Sequence, residues 1–86
     1  MLEKLDDISV SREIFNRVIT AGDISDADKD LLIAAYEYCI KLIESNKKLE
    51  INLLKIYLGE IKGYDINQID ITQLIILLNF CGIVFK

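Results

Sequence analysis

The sequence predicts an all-α fold: one compact domain over residues 1–86, built of four helices, or five if the first residues form a separate turn. Its second helix, about 26–46, should be central. Three observations carry this. The chain has no Pro, and its 16 Ile and 12 Leu recur at helical spacing rather than in alternation. Helix-start signals and glycines divide it into segments of helix length. One of those segments is apolar around most of its girth, as a helix surrounded by neighbours must be.

The first helix is expected to begin at Ser11. Its hydroxyl would accept an orphan N–H of the opening turn, with Val10 and Phe15 closing a hydrophobic staple. Ile14, Phe15, Val18 and Ile19 then share a face, and Gly22 stops the helix. Leu2, Leu5 and Ile8 would form a short turn ahead of it. The second helix opens at Ser25, with Asp28 in the capping-box position and Asp26, Asp28 and Asp30 loading the positive helix end. Its polar stripe is narrow: Asp30, Glu37, Lys41 and Glu44, with Glu37–Lys41 and Glu44–Lys48 as i,i+4 pairs.

The third helix is expected over Lys48–Lys62, stopping at Gly63. Gly59 inside it either admits a close neighbour or is simply tolerated, at up to about 1 kcal/mol relative to Ala. One helical turn fits between Tyr64 and Ile69. Asp70 and Gln73 then form a capping box, with Ile69 and Leu74 as staple, and a fourth helix runs to about Cys81 before Gly82. Ile83–Phe85 should pack down in an extended form.

Composition excludes several functions. There is no His and only two Cys, Cys39 and Cys81, so the common zinc sites and the His-dependent catalytic sets cannot be assembled. The four glycines are scattered and make no phosphate loop. No enzyme, cofactor or metal is expected. With a net charge of −4 and no base between 63 and 85, the chain is a poor match to a phosphate backbone. Residues 49–81 have the outline of a helix-turn-helix. However, the helix after Asp70 offers bases only Thr72, Gln73 and Asn79, so no nucleic-acid partner is expected. The apolar run Leu74–Phe85 is too short for a membrane span, which takes about 20 residues. The first residues lack a secretory pattern, and two isolated thiols suit a reducing compartment; a cytoplasmic location is expected. The excess of Ile, Lys and Asn suggests a low-GC microbe or phage.

One metal pattern stands out. Asp26, Asp28, Asp30 and Glu37 occupy positions 1, 3, 5 and 12 of a calcium loop, but Leu31 stands where that loop needs Gly. The acids are already accounted for by the helix start. The apolar fraction, 52 %, is more informative. So short a chain cannot hide all of it, and leftover apolar surface marks contact sites. The expected function is therefore a small protein-interaction module: a regulator, inhibitor or adaptor that docks on a partner protein with a basic surface. Asp23, Asp26, Asp28 and Asp30 would steer the encounter, and Tyr36, Tyr38, Tyr57 and Tyr64 would contribute contact area. A self-associating homodimer is the alternative. Binding of calcium or of a small ligand between helices is the third reading.

Overall fold

The computed structural model describes residues 4–21 and 24–85. Four α-helices hold the chain: α1 (Lys4–Thr20), α2 (Asp26–Glu44), α3 (Ile51–Ile56) and α4 (Ile71–Phe80). The last turn of the third segment widens to π geometry over Tyr57–Ile61, and a single 3-10 turn, Ile66–Gln68, precedes α4. No strand occurs among the described residues. The radius of gyration is 12.5 Å, close to the ~12 Å of a compact chain of this length.

Helix α2 is central, as its wide apolar surface requires. It packs against α1, α3 and α4 and supplies Leu32, Ala35, Tyr36, Cys39 and Ile40 to the core. Phe15, Leu54, Leu58, Leu74, Leu78, Cys81 and Ile83 complete that core from the other elements.

Helix α1 departs from expectation. It is one helix through Ser11, so there is no cap at Ser11, no staple from Val10 to Phe15 and no separate first turn. The physical reason lies in the period. Ile8, Ser11, Phe15 and Ile19 recur every three to four residues, which puts Ser11 on the inward face. There its hydroxyl donates to the Cys81 carbonyl at 2.6 Å and lies 2.7 Å from the Tyr36 hydroxyl. A serine has one hydroxyl proton, and the carbonyl takes it, so Tyr36 donates to Ser11. The stop assigned to Gly22 lies outside the described residues.

The starts of α2 and α4 agree with the sequence reading. Ser25 accepts from the Asp28 N–H at 3.2 Å. Asp65 caps the 3-10 turn by accepting from Asn67 N–H at 3.0 Å. Asp70 accepts from Gln73 N–H at 3.0 Å, the forward half of the capping box. The third helix starts at Ile51 rather than Lys48, because α2 closes with Asn46 in the left-handed region at φ 59°. Lys47 N–H donates back to the Leu42 carbonyl at 2.8 Å, and the chain then leaves extended. That turn removes Lys48 from the α2 lattice, so no Glu44–Lys48 pair forms. Glu37 turns to Arg12 of α1 at 3.2 Å instead of Lys41.

Gly59 and Gly82 are required by geometry, as is Gly63 at φ 79°. A Cβ on Gly59 would sit 3.0 Å from Cγ1 of Ile66, so the close neighbour admitted there is the 3-10 turn. Gly82 has φ 89° and closes α4: its N–H donates to the Asn79 carbonyl, and Ile83 N–H to that of Leu78, both at 2.9 Å. Ile83 is buried against the core, the apolar contact that accompanies such a helix end. Val84 points outward, so the tail packs down at Ile83 and only partly at Phe85.

Ser11→Ala should lower unfolding free energy by about 1–3 kcal/mol, because the Tyr36 hydroxyl and the Cys81 carbonyl both lose a partner. Tyr36→Phe should cost less, about 0.5–1.5 kcal/mol, since Ser11 keeps its bond to the carbonyl. Urea titration of the two single variants and the double variant gives the ranking and the coupling. Gly82→Ala should cost about 1–2 kcal/mol from backbone strain alone, since no atom lies within 4 Å of the added methyl.

Candidate functional site

Three helix starts meet at one hollow. The first turns of α2, the 3-10 turn and the start of α4 enclose about 490 Å³. Leu31, Leu32, Ile69, Leu74 and Leu77 make its floor, Tyr64 and Ala27 stand at its wall, and Asp28, Asp65, Asp70, Gln68 and Gln73 line it with polar groups. The placement follows from local chemistry. Asp65 and Asp70 are held there because one oxygen of each caps a helical turn. Asp28 is held by the Ser25 cap, which fixes the first turn of α2.

The electrostatics of the hollow are one-sided. Among the described residues no Lys or Arg lines it, and the ion pairs, Arg12–Glu37 and Arg17–Glu13, lie elsewhere. Two α-helix N-termini face it, each worth about half a positive charge. Three carboxylates outweigh them, so the rim is negative over an apolar floor. These carboxylates do not gather into a metal site; no such cluster occurs among the described residues.

The residues expected from sequence are dispersed. Asp28 and Tyr64 belong to the hollow. Asp26 and Asp30 are exposed on α2 and do not line it, and Asp23 lies outside the described residues. Asp26, Asp28, Asp30 and Glu37 all sit within the continuous helix Asp26–Glu44. Successive i,i+2 carboxylates there point about 160° apart, and no calcium loop forms.

Tyr36 is corrected outright. It is completely buried, stacked on Phe15 with ring centroids 3.9 Å apart, and offers no contact surface. Tyr38 points to another face, as its spacing from Tyr36 requires, and stacks on Tyr57 at 4.2 Å. That half-buried pair fastens α2 to the third helical segment. Asp65, Asp70, Gln68 and Gln73 were not anticipated as site residues. Asp70 and Gln73 read as a capping box, and only the fold brings these residues to Asp28.

Burial disfavours the charged forms of the two thiols and of two tyrosines. Burial pushes the Cys39 thiol up to about 12 and raises that of Cys81. Burial also raises Tyr36, opposed by the nearby Arg12 charge. The Arg12 guanidinium lies 5.9 Å from the Tyr36 ring centroid. Tyr38 is raised too, again chiefly by burial.

Comparison with known proteins supplies no relative: no family model, curated protein or solved structure matches the chain. No helix among the described residues is long and apolar enough to cross a membrane.

Both cysteines are free and buried, so a thiol reagent should react with neither in the native state at neutral pH. Labelling followed by mass spectrometry should show modification appearing only with unfolding, at a rate set by opening of the core. Tyr36 adds an alkaline limit. Its folded-state value is raised, so the neutral ring contributes stability below the ordinary value of 10.0. That contribution is lost as pH rises through 10 towards the folded value. Melting temperature should therefore fall above pH 10, and less steeply in Tyr36→Phe.

Proposed function

We propose that this chain is a small, non-enzymatic protein-interaction module, a regulator, inhibitor or adaptor that works by docking on a partner protein. The acid-rimmed hollow receives a basic, amphipathic segment of that partner. The observation that carries this reading is the pairing of an apolar floor with a rim of Asp28, Asp65 and Asp70 and no base. An apolar floor supplies affinity through burial. Unpaired carboxylates around it favour Lys and Arg flanking the apolar anchors, and they raise the association rate by steering.

The exposed apolar side chains fit a protein whose surface is used. Val10, Leu53, Ile56, Ile61, Ile76, Phe80 and Val84 are all exposed, more than so small a surface needs. A reducing cytoplasm belongs to the same reading, because Cys39 and Cys81 are unpaired.

The test uses a helical peptide of Leu and Lys, with a Leu and Glu peptide of the same pattern as control. In NMR titrations the basic peptide should shift the amides of Ala27, Leu31, Gln68 and Gln73, saturably. The acidic peptide should not. Asp28→Asn, Asp65→Asn and Asp70→Asn combined should weaken binding about tenfold and flatten its salt dependence. Asn caps helices as well as Asp does, so the fold is kept while the charge is removed. Equal binding of both peptides, or shifts scattered away from the hollow, would sink the proposal.

A further inference from the structure

A second face carries its own information. On α1 and the turn that follows it, Val10, Ile14, Arg17 and Ala21 follow one another at intervals of four, three and four residues. That is the seam spacing of helices that pack side by side. Val10 is 56 % exposed, and Phe80 at the end of α4 is 68 % exposed. Between α1 and Phe80 lies an open hollow of about 430 Å³, lined by Ile14, Arg17, Val18, Ala21 and Phe80. Ile14 and Val18 pack inward against the core with part of their surface open to this hollow.

We propose that this face binds a second copy of the chain, with the two α1 helices antiparallel across a two-fold axis. The charges on the face select that occupant. Arg17 is the only charged residue lining the hollow among the described residues. Among the described residues it pairs with Glu13 of the same helix at 3.6 Å, with side chains 77 % and 68 % exposed. A pair so open to water contributes little within one chain. Turning a second α1 about the middle of the stripe places Val10 of one copy by Ala21 of the other. It also sets Arg17 of each copy beside Glu13 of the other. One positive and one negative charge, four residues apart along an apolar stripe, form a pattern that is its own complement. A uniformly basic or acidic partner would match one charge and clash with the other. The Arg17 stem can lie along the apolar stripe while its guanidinium reaches the acid, and an isologous contact of this kind closes at two copies. This inference is independent of the acid-rimmed hollow, which none of these residues lines.

Sedimentation equilibrium on the full chain, from micromolar to near-millimolar concentration, tests it. A monomer–dimer equilibrium is expected. Phe80→Ser, Arg17→Glu and Glu13→Arg should each raise the dissociation constant about tenfold, with unchanged far-UV circular dichroism. The deciding experiment mixes Arg17→Glu with Glu13→Arg in equal amounts. Each variant repels itself across the two-fold, whereas the mixture restores opposite charges at both contacts, so the mixture should dimerise about as well as the unaltered chain. A monomer at every concentration overturns the proposal, as does an open-ended series of oligomers. A dimer indifferent to the three substitutions places the contact on another face. A mixture that fails to recover association rules out the antiparallel arrangement.

Discussion

One serine proton organises the centre of this protein. The Ser11 hydroxyl donates to the carbonyl that ends α4 and receives the Tyr36 hydroxyl of α2. Three helices from distant parts of the chain are thereby fixed at a single oxygen. Both contacts are buried, and no buried side-chain nitrogen or oxygen among the described residues lacks a partner. Such a group is costly if any member is removed, because a polar atom shut away from water loses more than the bond is worth. The stacking of Phe15 on Tyr36 beside it sets the ring plane, and Arg12 closes over the ring from the solvent side before reaching Glu37. The registers of α1, α2 and the end of α4 follow from this cluster. Apolar burial makes the domain collapse; the hydroxyl pair determines which arrangement of the helices is kept.

Legibility in the sequence divided along the range of the interactions. Caps act within four residues. Ser25 and Asp70, together with the Gly82 stop, are accordingly where local rules put them. The central place of α2 was legible because only a surrounded helix tolerates so narrow a polar stripe. Ser11 misled for a definite reason: serine is a cap residue by local chemistry, and here its hydroxyl is satisfied 70 positions away in the chain. Tyr36 misled in the same way. A tyrosine at a rim and a tyrosine in a core look alike until the partner of the hydroxyl is known. The start of the third helix shifted because an asparagine, not a glycine, takes the left-handed position after α2.

The candidate site was half legible, for the same cause. Asp28 and Tyr64 carried a recognisable signal as acid and as amphipathic ring. Asp65 and Asp70 carried a stronger signal for another role, since each already spends one oxygen on a helix start. A carboxylate has a second oxygen and a full charge left after capping. Helix starts brought together by folding therefore concentrate negative charge without any residue being set aside for it. Asp26 and Asp30, equally acidic, remain outside because the 100° step of the helix turns them away.

The two proposed contact faces lie at opposite ends of α4, whose ten residues follow the Asp70 cap beside the acid-rimmed hollow and finish at Phe80 beside α1. At 1.5 Å per residue the separation is about 15 Å, and no residue lines both hollows. An antiparallel pair would then display two acid-rimmed hollows related by a two-fold. A partner carrying two basic segments, or a symmetric partner, would be held by both at once, and the second contact would form at the high effective concentration set by the first. Charge removal at the hollow and charge reversal on α1 would then both weaken capture of such a bivalent partner. Only the first would weaken binding of a single basic peptide. The two faces can thus be separated by choice of ligand valency, whereas a single merged surface would respond alike in both assays.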